Sequence, residues 1–234
     1  MSELEMNRNA EGAESGRGGY GDKEEFMALI RKFQDSSPPA DEDEVMSMVM
    51  EAQQAVSIAI RLMQPNELNR LGEIDRTERI ERIYIQRGAT LAESAQPFDV
   101  PPWSPTGTHA HSVPDQIGFC QWHVSRGALI FGAFDGRRLV GIALVTPHIR
   151  PGIAQLSFLH VSDGYRGRGV GRRLVAELER VAHEVGDTQM VVSATPTVRT
   201  VHFYMACGYV PMAEPLPELF EEEPEDVHLN KRLD

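Results

Sequence analysis

The residues most able to do chemistry form one run, Leu159-His160-Val161-Ser162-Asp163-Gly164-Tyr165-Arg166-Gly167-Arg168-Gly169-Val170-Gly171. A strand-like apolar segment enters a glycine-dense turn there and leaves directly as a strongly periodic helix. Glycine lets backbone amides approach a ligand with no side chain in the way. The first amides of a helix have no partner within it, and the helix dipole favours an anion at that end. The combination reads as a phosphate cradle, with Arg166, Arg168, Arg172 and Arg173 adding positive charge around it. Two commoner nucleotide motifs do not fit. No Gly-Lys-Ser or Gly-Lys-Thr tripeptide occurs, and Arg172 stands where a dinucleotide fingerprint beginning at Gly167 and Gly169 needs a third glycine. A bare helix start, with glycines serving conformation alone, is the competing explanation; the strand-turn-helix context favours the cradle.

Other reactive side chains offer less. His109 and His111 lie two apart in a loop, but no carboxylate or cysteine is near enough in sequence to complete a site, so no metal is expected. Cys120 and Cys207 are far apart and form no CxxC pair, which argues against zinc or a disulfide framework. Trp103 and Trp122 flank the same loop, where a ligand pocket and core packing account for them equally well.

The elements that must position the cradle follow from patterning. The 234 residues suit one domain plus extensions. Residues 1–55 read as an extension, disordered over 1–21 and helical near 22–33 and 41–55. From residue 56 to 234 the pattern is that of a mixed α/β domain. Val56 to Met63 reads as a strand, and Glu67 to about Tyr84 as a helix, with Leu68, Leu71, Ile74, Ile80, Ile83 and Tyr84 near helical spacing. Residues 97–118 hold five prolines and read as a long loop. Ala128 to Phe134, Asp135-Gly136 and Leu139 to Thr146 make a hairpin. Ala154 to Val161 is a further strand. Val170 to Val185 is the strongest helix, its stripe of Leu174, Val175, Leu178, Val181, Ala182 and Val185 ending at Gly186. Met190 to Ala194 is a strand, Thr197 to Cys207 a helix after Pro196, and Tyr209 to Met212 and Val227 to Leu233 closing strands.

Charge is unevenly placed. Residues 1–50 carry 12 acids and 5 bases, 214–226 carry seven acids and no base, and 51–213 are nearly neutral with 15 acids against 16 arginines. The acidity reads as solvated flanks, and nothing suggests a nucleic-acid groove. No apolar run approaches the ~20 residues that cross a bilayer and no signal pattern opens the chain, so no membrane association and a cytoplasmic location are expected.

The cradle resembles the cofactor motif of the GNAT superfamily, Arg/Gln-x-x-Gly-x-Gly/Ala, through Arg166, Gly169 and Gly171. Leu159 and Val161 look like that superfamily's fourth-strand positions, whose backbone pairs with a pantetheine arm. Thr197 to Tyr209 is similar to its second signature, Asn-x-x-Ala-x-x-Phe-Tyr-x-x-x-Gly-Phe: Phe203, Tyr204 and Gly208 match, Thr200 replaces Ala, Tyr209 replaces Phe and Thr197 replaces Asn. The resemblance spans roughly residues 56–232 and implies a GNAT fold, a mixed sheet of six to seven strands flanked by helices. It implies acetyl-CoA as co-substrate, bound by Leu159, His160, Val161, Arg166, Gly167, Arg168, Gly169, Val170, Gly171 and Arg172, and acetyl transfer to an amine.

Direct attack on a thioester requires a neutral amine, although a free alkylammonium has a pKa near ~10.4. It also needs an oxyanion donor, for which a backbone amide at Leu159 or Val161 suits, and a proton for the departing thiolate, for which Tyr204 is the family-position residue. The base stays open between Glu73, Asp75 and a water chain, with His160 adjacent; the family's strand glutamate falls on Gln155, which cannot serve. The alternative is a non-catalytic acyl-CoA-binding regulatory domain, which Thr197 and Gln155 would allow. A homodimer formed through residues 22–55 is compatible with either.

Overall fold

The computed structural model describes residues 58–234, so the extension expected over 1–55 lies outside the described residues. The elements are β1 (Ile58–Met63), a 3-10 helix (Pro65–Glu73), β2 (Glu78–Arg87), β3 (Thr90–Val100), α1 (Val113–Ser125), β4 (Leu129–Asp135), β5 (Arg138–Arg150), β6 (Ile153–Val161), α2 (Val170–Glu184), β7 (Gln189–Ala194), α3 (Val198–Ala206), β8 (Val210–Pro211), α4 (Pro217–Glu222) and β9 (Val227–Arg232). Seven strands form one mixed sheet in the order β1-β4-β5-β6-β7-β9-β8, and β2 and β3 form a separate hairpin. The expected six to seven strands and mixed α/β class are therefore observed. No described helix is long and apolar enough to cross a membrane.

The sheet is buried on both faces, as β5 shows. Val140, Ala143 and Val145 belong to the apolar cluster under α2 and α3, while Leu139, Ile142 and Leu144 belong to the cluster under the 3-10 helix and α1. Alternation sends successive side chains to opposite faces, so a strand covered on both sides is apolar throughout. On α2 the stripe of Val170, Leu174, Val175, Leu178, Val181 and Ala182 is buried, and each such side chain contributes about 1.5–3 kcal/mol. The helix stops at Val185, with Gly186 at φ 99° beyond it.

Three expectations need correction. Residues 78–87 are a strand, not the second half of a helix. Ile80, Ile83 and Tyr84 mimic helical spacing, but β2 pairs with β3 across a two-residue turn, from Arg87↔Thr90 outward. Gly88 in that turn has φ 56°, a conformation glycine adopts without cost. The register shifts opposite Glu81, where β3 carries the extra residue beside Pro97, a position at which a missing N–H does no harm. The long loop shrinks at both ends, to strand up to Val100 and helix from Val113. Ser112 caps α1 by accepting from the Asp115 amide at 3.3 Å, and Pro114 occupies the first turn. Finally, part of the acidic run 214–226 is ordered as α4.

Gly141 on β5 lies beneath α2. A Cβ there would come within 3.1 Å of Leu174 Cδ1, 3.2 Å of Val170 Cγ1 and 3.3 Å of Ala133 Cβ. Gly141→Val should therefore lower the unfolding free energy by about 2 kcal/mol through overpacking. Urea denaturation followed by circular dichroism measures it, and an unchanged midpoint would contradict this packing.

Candidate functional site

β6 and β7 part company. They are parallel, and they pair only at Ile153↔Gln189, Ala154↔Met190 and Gln155↔Val191. Beyond Gln155 the edge of β6 facing β7 has no strand beside it among the described residues. A bulge marks the departure, since against β5 the register steps from Val145↔Leu156 to Leu144↔Phe158 and skips Ser157. The bulge reverses the alternation: Leu156 packs in the α2-side cluster, and Phe158 in the α1-side one. Ser157 Oγ lies 2.6 Å from Thr146 Oγ1, which in turn is 3.1 Å from Nδ1 of the buried His123, so a polar chain pins the bulge from behind.

β6 delivers the chain to the glycine turn. Gly164, Gly167 and Gly169 have φ of 74°, 77° and 78°, and a Cβ on any of them would meet no atom within 4 Å. Gly169 is the N-cap of α2; it makes no side-chain cap, and no acid lies in the first turn. The first intrahelical bond runs from the Arg173 amide to the Gly169 carbonyl at 3.0 Å. Among the described residues, nothing accepts from the amides of Val170, Gly171 and Arg172 at the positive end of α2. Gly171 has a separate purpose, because Phe203 ring carbons lie 3.2 Å from where its Cβ would be. It lets α3 approach α2 closely.

The remaining predicted residues divide between exposed and internal positions. Arg172 is exposed, and Arg168 is exposed with its guanidinium 5.4 Å from the Tyr165 ring. Leu159 and Val161 are partly buried against the α2-side core. His160 turns to the other face, 4.7 Å from the rings of both Trp103 and Phe158, and burial, with help from Arg76 and Arg166, pushes its pKa down to about 3. It is a neutral aromatic packing group there. Arg166 points inward. Its Nε donates to the Val161 carbonyl at 2.9 Å and its Nη1 to the Thr77 carbonyl at 2.7 Å, tying β6 to the start of the hairpin. Trp103 joins this aromatic group, whereas Trp122 is exposed on α1 under Arg126.

Tyr204 sits on α3 at 4% exposure, its ring against Phe203 and Tyr209. Burial first, then the nearby acids Asp226 and Glu223, push its pKa well up, so the phenol is protonated at neutral pH. Thr197, where the family signature has Asn, is the N-cap of α3 and accepts from the Thr200 amide at 3.1 Å. The two acids considered as bases are occupied. Glu73 takes two bonds from Arg70 and one from the Leu139 amide, and Asp75 takes two from Thr77; those bonds hold both carboxyls below the usual range.

A cleft that the sequence does not advertise lies between the hairpin and the segment joining β8 to β9. Its volume is about 490 Å³, and its walls include Tyr84, Ile85, Phe98, Phe220, Glu225 and Asp226. Gln86 clasps the two walls together, donating to the carbonyls of Met212 (2.9 Å) and His228 (3.2 Å) and accepting from the His228 amide at 2.7 Å. Burial, then the nearby Glu223, pushes Asp226 up to about 7. Only its place in a run of seven acids hid this residue.

The sequence matches the model of the acetyltransferase (GNAT) family over residues 90–209. No curated protein matches it. Among solved structures, a nourseothricin acetyltransferase is similar at TM-score 0.58 and 16% identity, covering 76% of this chain and 99% of that one. A protein of Bacillus anthracis str. Ames described as a streptothricin acetyltransferase, in complex with acetyl coenzyme A, gives 0.56 and 17%, with 76% and 98% covered. A GNAT-family acetyltransferase of Staphylococcus aureus Mu50 gives 0.53 and 13%, with 76% and 99% covered. At these identities the likeness is one of fold.

Because Arg166 bridges two carbonyls from within, Arg166→Ala should cost about 2 kcal/mol of stability. The thermal unfolding midpoint reads it, and a melting curve superposing on the parent's would show that the bridge carries no weight.

Proposed function

Because this chain belongs to the acetyltransferase (GNAT) family, we propose that it transfers an acetyl group from acetyl-CoA to an amine acceptor by direct attack. One observation carries the reading: the glycine-built start of α2 opens beside the strand edge that β6 exposes on leaving β7. The residues present fit the cofactor. In this reading the amides of Gly167 to Arg172 hold the pyrophosphate, supported by the open space glycine leaves at positions 167 and 169 and by the helix dipole, which favours the anion. The exposed Arg168 and Arg172 stand beside it with positive charge. The edge of β6 at Leu159 and Val161 offers backbone partners to the pantetheine amides, with His160 between them facing the aromatic cluster.

The amine nitrogen attacks the thioester carbon, a β6 amide at Leu159 or Val161 stabilises the developing oxyanion, and the carbon–sulfur bond breaks. Tyr204 supplies the proton to the departing sulfur. A phenol near ~10 is a weak acid towards a thiolate near ~8.5, and burial weakens it further, so Tyr204 passes its proton to sulfur only as it takes one from the attacking nitrogen.

Two variants test this. Gly169→Glu puts an anion at the helix tip and should abolish acetyl-CoA binding measured by calorimetry, in a protein whose circular dichroism still matches the parent; unchanged affinity would refute the cradle. Tyr204→Phe should lower kcat by roughly 10- to 100-fold with acetyl-CoA affinity intact. Turnover equal to the parent's would reduce Tyr204 to packing.

A further inference from the structure

The cleft between the hairpin and the β8–β9 segment is lined by two kinds of surface. Ile85, Phe98 and Phe220 face it while being 45%, 43% and 49% exposed, an unusual concentration of large apolar side chains on one concavity. Glu225 and Asp226 supply negative charge, and no lysine or arginine is among the described residues that line it. A volume of about 490 Å³ suits a small organic molecule. The cleft is bounded by residues next to the elements of the proposed centre. Pro196 lines it and accepts from the Tyr84 amide at 2.7 Å, next to Thr197, the cap of the helix that carries Tyr204. His228, another lining residue, contacts Ser193 on β7 at 3.2 Å, on the far wall of the strand split.

We propose that this cleft receives the acceptor as a primary ammonium carried on an apolar or aromatic body, and that the Asp226 carboxylate takes the proton that makes its nitrogen nucleophilic. The inference rests on the acetyl-transfer reading above. An apolar body covers Ile85, Phe98 and Phe220 at about 25 cal/mol per Å², whereas a polyhydroxylated or polycationic amine leaves them facing polar groups. Asp226 suits the proton step because its pKa of about 7 lies near neutrality, where a base is both ionised and able to hold a proton. The titratable groups that face it are Glu223 and Glu225 in its own segment, His228 on β9, Tyr204 on α3 and Tyr84 on β2, whose hydroxyl is 2.8 Å from His202 Nε2. Burial holds His228 below its usual range, so it brings no competing positive charge at neutral pH. In the step, the ammonium gives one proton to Asp226, the freed lone pair forms the C–N bond, and the C–S bond breaks. The second nitrogen proton reaches the sulfur by way of Tyr204. One amide and one thiol form, and Asp226 returns its proton to solvent.

The test uses the full chain. Acetyl-CoA affinity is measured first by calorimetry, then thiol release is followed with phenethylamine, spermidine and glucosamine across pH 5.5 to 9. Phenethylamine should have a kcat/KM at least about tenfold above the other two, rising with pH through about 7 as Asp226 ionises. Asp226→Asn should lower kcat by about 10²- to 10³-fold and erase that rise, with acetyl-CoA affinity unchanged. Phe98→Ala, on an exposed side chain, should raise KM for phenethylamine about tenfold and leave kcat alone. An Asn variant with the parent's kcat and pH profile, or a preference for spermidine or glucosamine, overturns the cleft proposal by itself. Failure to bind acetyl-CoA overturns the acetyl-transfer reading and this inference together.

Discussion

Two neighbouring strands that stop bonding to each other after three residue pairs leave backbone groups that something else must satisfy. Buried N–H and C=O groups are almost always paired, and each left alone costs of the order of a lost hydrogen bond. The divergence of β6 from β7 is therefore the constraint on which the rest turns. It is fixed from three sides. The Ser157 bulge, backed by Thr146 and His123, bends β6 away. α2 crosses from the end of β6 to β7 and packs its apolar stripe on β5. The hairpin is joined to both arms: Arg166 reaches the Thr77 carbonyl at its start, and Tyr84 donates to the Pro196 carbonyl just past the end of β7. A gap held open this firmly is preformed, so a ligand that slots its own amides along β6 need not spend binding energy to create it.

The hairpin shows how a site can be assembled from pieces that look unrelated in sequence. Glu78 to Val100 forms no ladder with the seven-stranded sheet, and its Ile85 and Phe98 stay substantially exposed. Such a ribbon is marginal by itself. Its order comes from clasps at its ends, above all Gln86 on Met212 and His228. In exchange it supplies one wall of the cleft, against a β8–β9 segment that would otherwise be a solvated acidic loop.

What the sequence disclosed was what depends on local physics. The glycine-rich turn into α2, the stripe of α2 and the Asp135-Gly136 hairpin are written in residues adjacent in the chain or one helical turn apart, and the structure has strands and helices where they were read. The failures share a cause. Ile80, Ile83 and Tyr84 carry a spacing that suits a helix and a strand equally, and only pairing with residues 90–100 decides between them. Asp226 looks like any other acid in its run until the fold sets it beside Glu223 and buries it partway. That the Arg166 guanidinium donates to two carbonyls, one of them 89 residues away, is equally invisible in the sequence. Long-range neighbours set these roles, and no window of the sequence contains them.

The electrostatics of Tyr204 and Asp226 link the two halves of the proposed reaction. Tyr204 is raised by burial first and then by the acids Asp226 and Glu223 nearby. While Asp226 is ionised its charge helps to keep the phenol protonated. Once Asp226 has taken a proton from the ammonium that charge is gone, and the phenol parts with its own proton more easily. The change comes after the amine is activated and before the sulfur leaves, when a donor is needed. Low-dielectric surroundings magnify such coupling, since a charge removed near a buried group is not replaced by screening water.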